Sequence, residues 1–158
     1  MSNILVETLF GNKLKTQMSL RDAINLLTES NLINIGELAE LAISKKSGVD
    51  KCDKNTPNID LVTGKQIKHA QTNPDDQGKV SNLRAYISIK GITAPILAVV
   101  TERVTNKQYF FYFPYKSFSM YNGNTFSICF NGDTGEPATG WAWKHRVDSF
   151  EALCELAK

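Results

Sequence analysis

The chain has 158 residues, of which 42% are hydrophobic and 22% are charged. These proportions are typical of one globular domain with its own core, and they exclude a low-complexity or strongly charged disordered chain. The formal net charge of +2, from 18 basic and 16 acidic residues, neither requires nor excludes an anionic partner.

The cysteines and the apolar runs indicate where the protein resides. Cys52, Cys129 and Cys154 are odd in number and far apart, without the spacing of a metal site. We expect free thiols in a reducing compartment. No apolar run is long enough to span a bilayer, and the start "MSNILVETLF" lacks the basic region and apolar run of a signal peptide. We therefore expect a cytoplasmic, intracellular protein without a membrane partner.

Two helices are predicted in the first third of the chain. The stretch "SLRDAINLLTES" (19–30) begins with Ser19 as a cap and repeats apolar residues at helical spacing. The stretch "NIGELAELAISKKSG" (34–48) has Asn34 as its candidate cap, an apolar stripe, and two lysines before Gly48 as stop signals. A polar loop is expected to follow.

From residue 58 onward the pattern changes to strands rich in Ile, Val, Tyr and Phe. Tight turns are predicted at Thr63-Gly64 and Thr105-Asn106, a loop over 73–79, and a final helix over 148–158 capped by Ser149 or Asp148. The predicted strands cover 58–62, 65–71, 83–90, 95–103, 108–113 and 125–130. This order favours an α/β (α+β) domain, in which helices cover a mixed, mostly antiparallel central sheet.

The stretch "NIDLVTGKQIKHA" (58–70) places an acid, an amide and an amine among apolar residues. On a strand, residues two apart point to the same side, so Gln66 and Lys68 project together. If the hairpin closes at the predicted turn, Asp60 on the preceding strand comes close to both. We therefore expect a carboxylate, an amide oxygen and an ammonium to converge.

These groups suit the hydrolysis of a phosphodiester. Carboxylate and amide oxygens are hard ligands for Mg²⁺, which keeps most of its waters, and Mn²⁺ could replace it. The metal polarises the phosphate and acidifies a bound water, while Lys68 can hold or deprotonate that water and offset developing charge. Glu37 and Glu40 lie on adjacent parts of one helix face, so the upstream helix offers a second carboxylate.

Three short stretches together resemble the active-site layout of the PD-(D/E)XK nuclease superfamily, namely "GELAE" (36–40), "NID" (58–60) and "QIK" (66–68). That family includes restriction enzymes, homing endonucleases and Holliday-junction resolvases. Its members carry an acidic helix, a hairpin strand that presents Asp and a second strand that presents Glu-x-Lys. The resemblance implies a restriction endonuclease-like fold, in which helices flank a mixed sheet.

The resemblance also implies an activity and a set of roles. It predicts a Mg²⁺-dependent DNA endonuclease of restriction or homing type, acting as a homodimer on its partner, DNA. Asp60 and Gln66 would hold the metal with help from Glu40 or Glu37, and Lys68 would position the attacking water.

The sequence departs from the family pattern at two positions. Ile59 stands where the family has Pro, and Gln66 replaces the usual Glu, a substitution that some members share. A neutral ligand makes the helix glutamate more important. A second placement would use "NPDD" (73–76) with "SIK" (88–90), but Ser88 is a poor metal ligand and the first stretch has a loop composition.

The expected organisation is a single nuclease domain over 1–158. A helical extension covers 1–31, the catalytic core 32–113, and a recognition and C-terminal helix region 114–158. Tryptophans in the last region could contact DNA or anchor the final helix to the core. The aromatic and basic candidates for nucleic-acid binding are Tyr115, Lys116, Lys144 and Arg146.

Two other interpretations stay open. A toxin or repair nuclease could use the same site on RNA or branched DNA, and a non-catalytic α+β interaction protein, such as an inhibitor or immunity protein, would need no metal. His69 follows Lys68, so it should point to the opposite side in a packing or hydrogen-bonding role. Because the sequence has no Gly-rich phosphate loop, we expect no organic cofactor.

Overall fold

The computed structural model describes residues 35–73 and 82–158, together with the single positions Ile4 and Thr8. The helix predicted over 19–30 lies outside the described residues. Asn34, the candidate cap of the helix predicted over 34–48, lies outside them as well. Residues 74–79 of the loop predicted over 73–79 also lie outside the described residues. They include the two acids of the alternative motif placement at 73–76.

Across 35–73 and 82–158 the chain forms three α-helices, six strands and one 3₁₀ helix. Each predicted strand from residue 65 onward is found, with ends that differ by at most two residues. The elements are α1 (Ile35–Ser47), β1 (Gln66–Gln71), β2 (Asn82–Ser88), β3 (Ile96–Thr101), β4 (Gln108–Phe113), α2 (Tyr115–Phe118), β5 (Thr125–Asn131), the 3₁₀ helix (Trp141–His145), β6 (Arg146–Val147) and α3 (Phe150–Glu155).

The strands form a mixed four-stranded sheet and a separate pair. The order in the larger sheet is β1-β3-β4-β6, in which β1 and β3 are parallel and the other neighbours are antiparallel. Strands β2 and β5 pair antiparallel with each other. The protein is therefore a mixed α+β domain with a mixed sheet, as predicted, but the sequence did not indicate which strands pair in parallel, nor the second sheet.

Strand β3 shows how the layers are arranged, because it is apolar along both faces. Leu97 and Val99 pack with α1 and α3, whereas Ile96, Ala98 and Val100 face the β2-β5 pair. A strand buried on both sides needs this continuous apolar run. In the described part of the chain, helices thus cover one face of the central sheet and the two-stranded sheet covers the other.

The ends of two helices follow the capping rules. Gly48, with a φ of 74°, ends α1 after two lysines in its last turn. The Ser149 hydroxyl accepts a hydrogen bond from the amide of Ala152 at 3.0 Å, so Ser149 rather than Asp148 caps α3.

No helix within the described ranges has both the length and the apolar character needed to cross a membrane. All three cysteines are free thiols.

A buried carboxylate holds the turn between β3 and β4. Glu102 is completely buried, and its two oxygens accept hydrogen bonds from the amides of Val104 and Thr105, each at 2.7 Å, and from the Thr105 hydroxyl. Gly135, with a φ of 68°, lies against this carboxylate, and a Cβ there would overlap its Oε2. The turn therefore depends on a close backbone approach that only glycine permits.

Replacing Gly135 with alanine should lower the free energy of unfolding by about 2–4 kcal/mol, because backbone strain adds to the displacement of the Glu102 carboxylate. Gly48→Ala is the matched control, since Gly48 also has positive φ but has open space where the Cβ would lie. Its loss should be about 1 kcal/mol. Urea denaturation measures both, and equal losses would show that the contact with Glu102 contributes nothing.

Candidate active site at the edge of the central sheet

A tight turn returns the chain to the start of β1. The amide of Gly64 donates to the carbonyl oxygen of Leu61 at 2.9 Å, and Leu61 forms an antiparallel bridge with Lys65. Gly64 has a φ of 80°, which glycine adopts at little cost. The predicted turn at Thr63-Gly64 is confirmed.

The strand predicted over 58–62 is reduced to one bridge position. Asn58 has a φ of 58°, which breaks the extended conformation, and Leu61 bridges Lys51 as well as Lys65. The loop that contains Lys51 therefore takes the place of a longer hairpin. This loop runs beside Asp60, because the amide of Cys52 donates to the Asp60 carbonyl oxygen at 2.8 Å.

The Asp60 carboxylate is fixed against the outer edge of β1. Its Oδ2 accepts a hydrogen bond from the backbone amide of Ile67 at 2.7 Å and another from the Gln66 side-chain Nε2 at 2.6 Å. The first bond satisfies an amide on the edge of β1 that does not pair with β3. The structure thus brings Asp60 and Gln66 into direct contact.

Gln66 has an unsatisfied acceptor. Its side chain is nearly buried, with 8% of the residue exposed, and within the described chain its Oε1 has no hydrogen-bond partner. Buried polar atoms nearly always have partners, so this oxygen calls for a cation, a water or another donor. A hard cation next to the Asp60 carboxylate would satisfy it.

Glu40 brings a second carboxylate toward this edge. Its Oε2 forms an ion pair with Lys51 Nζ at 2.7 Å, and both side chains are half-buried. Glu37 is exposed in the first turn of α1. The charge of Glu40 acts on Asp60.

Burial raises the pKa of Asp60 above its ordinary value, and the charge of Glu40 raises it further. The hydrogen bond from the Ile67 amide and the charges of Lys68 and Lys51 act in the opposite direction. Lys68 is half-buried and projects on the same side of β1 as Gln66. Asp60 therefore contacts the buried Gln66 amide directly and lies within electrostatic reach of one further carboxylate and two ammonium groups.

The donor set determines which metal the site could hold. Within the described residues, no three His, Cys, Asp or Glu side chains are arranged to hold an ion. The oxygens of Asp60 and Gln66, with Glu40 if its carboxylate left Lys51, would make an all-oxygen set. Such a set fits Mg²⁺, which retains several waters and needs few protein ligands.

Lys51 was not among the residues that the sequence suggested. It lies in a polar loop without periodicity, and only the bridge to Leu61 and the ion pair with Glu40 bring it to the site. The sequence did not indicate that this lysine would lie near two acids, because 18 basic residues are spread along the chain.

His69 lies on the opposite side of β1 from Lys68, as predicted, and its Nε2 is 3.2 Å from the Thr101 hydroxyl. Burial lowers its pKa to about 4. The predicted hydrogen-bonding role of His69 is confirmed.

The candidate nucleic-acid contacts separate into two locations. Tyr115 and Lys116, in α2, and Lys144 are exposed beyond the Phe113 end of β4. The Arg146 guanidinium instead stacks 5.2 Å from the centre of the Tyr109 ring, toward the other end of that strand. Arg146 therefore does not join the other three.

The tryptophans pack on the strands rather than on the final helix. Trp143 Nε1 donates to the Cys129 carbonyl oxygen at 2.9 Å, and both Trp141 and Trp143 pack against the core between the two sheets. Helix α3 belongs to the core on the opposite face. The expectation that they anchor the final helix is therefore wrong.

Comparison of the chain with protein-family models, with curated proteins and with solved structures finds no match. The interpretation of the site therefore depends on the contacts of its own residues.

Replacing Asp60 separates its charge from its hydrogen bonds. Both bonds converge on Oδ2, so the amide oxygen in Asp60→Asn can accept them, and the unfolding free energy at pH 7 should hold or rise because a buried charge is lost. Asp60→Ala leaves two donors without an acceptor and should lose about 1–3 kcal/mol. Urea denaturation would contradict this if the two variants were equally stable.

His69 should make stability depend on pH. Its folded pKa of about 4 lies below the ordinary 6.5, so the unfolded chain binds the proton first. Stability is therefore full above pH 6.5 and falls as the pH drops to about 4, by at most about 3 kcal/mol. His69→Gln can keep the contact with Thr101 and should reduce this loss. Denaturation curves at pH 7 and 4.5 test it, and parallel losses in both proteins would rule out His69 as the source.

Proposed function

We propose that the protein is a Mg²⁺-dependent endonuclease that hydrolyses phosphodiester bonds in DNA. The observation that carries this proposal is the contact of Asp60 with Gln66, whose buried Oε1 has no hydrogen-bond partner among the described residues, within electrostatic reach of Lys68. A structural hydrogen-bonded pair would not need two further ionic groups beside it. The proposal explains the unsatisfied oxygen as a ligand.

Asp60, Gln66 and Glu40 would hold the metal. Mg²⁺, or Mn²⁺ in its place, would supply polarisation of the scissile phosphate and a water of lowered pKa. Ion binding would require Glu40 to exchange its ion pair with Lys51 for the metal. Lys51 would then become available to the phosphate, as a further positive charge.

Lys68 would act on the reacting phosphate itself. In the hydrolysis, a water oxygen forms a bond to phosphorus and the water releases one proton to solvent, while the bond to the leaving ester oxygen breaks and that oxygen receives a proton from solvent. The Lys68 ammonium would donate a hydrogen bond to the attacking water or to a non-bridging oxygen, and would offset the charge that develops there. Asp60 would keep the site anionic enough for the ion.

The arrangement of the elements supports a restriction endonuclease-like fold for this proposal. Helix α1 carries Glu40 and packs on one face of the mixed sheet, and the edge strand β1 carries Gln66 and Lys68 on the side that alternates toward the other face. The short first strand of the hairpin is a departure from that pattern. The homodimer that would cut both strands of a duplex remains part of the proposal.

The test is incubation of the purified protein with plasmid, linear duplex, branched DNA, single-stranded DNA and RNA, with Mg²⁺ or with chelator. We expect Mg²⁺-dependent cleavage of DNA, reduced more than about 1,000-fold in Asp60→Asn and about 100- to 1,000-fold in Lys68→Met. Asp60→Asn is preferred to alanine because it can keep both hydrogen bonds. Mg²⁺ should also raise the melting temperature of the wild type more than that of Asp60→Asn.

Lys65→Met is the matched control, because Lys65 precedes β1 but donates to the Ala157 carbonyl oxygen at 3.3 Å instead of acting on Asp60. It should cleave at the wild-type rate. Wild-type activity in Lys68→Met would show that the lysine assignment is wrong. Cleavage of RNA alone would indicate a toxin, and a folded protein that neither cleaves nor responds to Mg²⁺ would indicate a non-catalytic interaction protein.

A further inference from the structure

The register of the central sheet relates the candidate site to a second surface. Gln66 is paired with Ile96 on β3, and Ile96 with Phe113 on β4, so the three form one row across the sheet. Ile96 and Phe113 face the β2-β5 pair. Two strand spacings separate Gln66 from Phe113, which is about 10 Å.

Beyond Phe113 lies a group of rings, here called the aromatic rim, made of the exposed Tyr115 and Tyr121 and the half-buried Trp141 and His145. The Phe113 ring centre is 5.9 Å from that of Trp141 and 5.4 Å from that of His145. Trp141 in turn lies 6.4 Å from Tyr121. Core packing therefore fixes the rim to the strand end.

The rim presents aromatic surface to solvent. Tyr115 is 38% exposed and Tyr121 48%, and the neighbouring Met120 is 91% exposed. Tyr121 lies against Trp141 and Phe126, which leaves it little freedom to move. A ring that is exposed but already ordered loses little entropy when a planar group stacks on it.

The two segments that carry the rim contain basic residues and no acid. Residues 114–132 and 137–145 carry Lys116 and Lys144. The charge of Lys144 is near enough to His145 to act on it. Ordered rings flanked by lysines are complementary to a polyanion that also offers planar faces.

Single-stranded nucleic acid combines these two properties, because its phosphates are anionic and its bases are unstacked. A paired duplex offers the phosphates alone, since its bases are stacked on one another. We propose that the aromatic rim binds unpaired bases of a nucleic acid whose strand continues to the candidate site.

The inference that the bound strand reaches a scissile phosphate rests on the proposed function, whereas the binding of unpaired bases to the rim does not. Binding at the rim favours a substrate with an unpaired region, such as a junction, flap or single strand, over a fully paired duplex. Duplex-only recognition and an anionic membrane surface are the competing outcomes.

Anisotropy of a labelled oligothymidylate and of a blunt duplex of equal length, both in chelator, tests the proposal. The wild type should bind the single strand at least about 10-fold more tightly. Tyr121→Ala should weaken single-strand binding by about 5- to 150-fold, equivalent to 1–3 kcal/mol for a stacked base, and leave duplex binding within about twofold. Tyr86→Ala is the matched control, because Tyr86 on β2 has the same 48% exposure but lies outside the rim.

A second set of variants keeps the test valid if Tyr121→Ala does not fold. Tyr115→Ala should also weaken binding of the single strand. Lys116→Gln with Lys144→Gln should lower the slope of log affinity against log salt by about 1.4. Equal behaviour of the Tyr115, Tyr121 and Tyr86 variants, or preference of the wild type for duplex or for anionic vesicles, would overturn the proposal.

The measurements of binding and cleavage distinguish failure of the proposed binding to the rim from failure of the proposed hydrolase activity. If the wild type and Tyr121→Ala cleave paired duplex equally in Mg²⁺ and neither prefers the single strand, the rim proposal fails and the hydrolase stands. If Tyr121→Ala loses single-strand binding but no substrate is ever cleaved, the rim stands and the hydrolase fails.

Discussion

The hydrogen bond from the Ile67 amide to Asp60 Oδ2 fixes the geometry on which the candidate site depends. Strand β1 pairs with β3 along one edge only, so amides on its other edge need an acceptor from elsewhere. Leaving such an amide without one costs about 1–3 kcal/mol. The fold therefore holds the carboxylate in place whether or not a ligand is bound, and Gln66 is fixed by the same oxygen.

A carboxylate is not the group that structure alone would favour at this position. Both hydrogen bonds end on one oxygen, which an asparagine could equally provide without a buried charge. The raised pKa of Asp60 reflects the cost of that charge, and the neighbouring Glu40 adds to it. A cation that completes the site would explain this cost, and it would also satisfy Gln66 Oε1, which has no partner in the described part of the chain.

Local patterns were enough to predict the parts of the site that lie close in the chain. The turn at Gly64 and the alternation along β1 brought Asp60 to Gln66 without any tertiary information. The parallel pairing of β1 with β3 depends on contacts between distant segments, which periodicity does not encode. Lys51 was missed for the same reason, since a loop bridge to Leu61 determines its position.

The sheet also limits how the site and the aromatic rim can move relative to each other. Ile96 lies between Gln66 and Phe113 in a row of paired backbones, and it is completely buried. A close-packed row of this kind deforms little, so a strand bound at both ends would be held at a fixed distance. Binding energy at the rim could then serve to orient the phosphate at Lys68, because contacts remote from the reacting atoms contribute to catalysis through positioning. Loss of a rim contact would in that case lower the rate of the chemical step as well as the affinity.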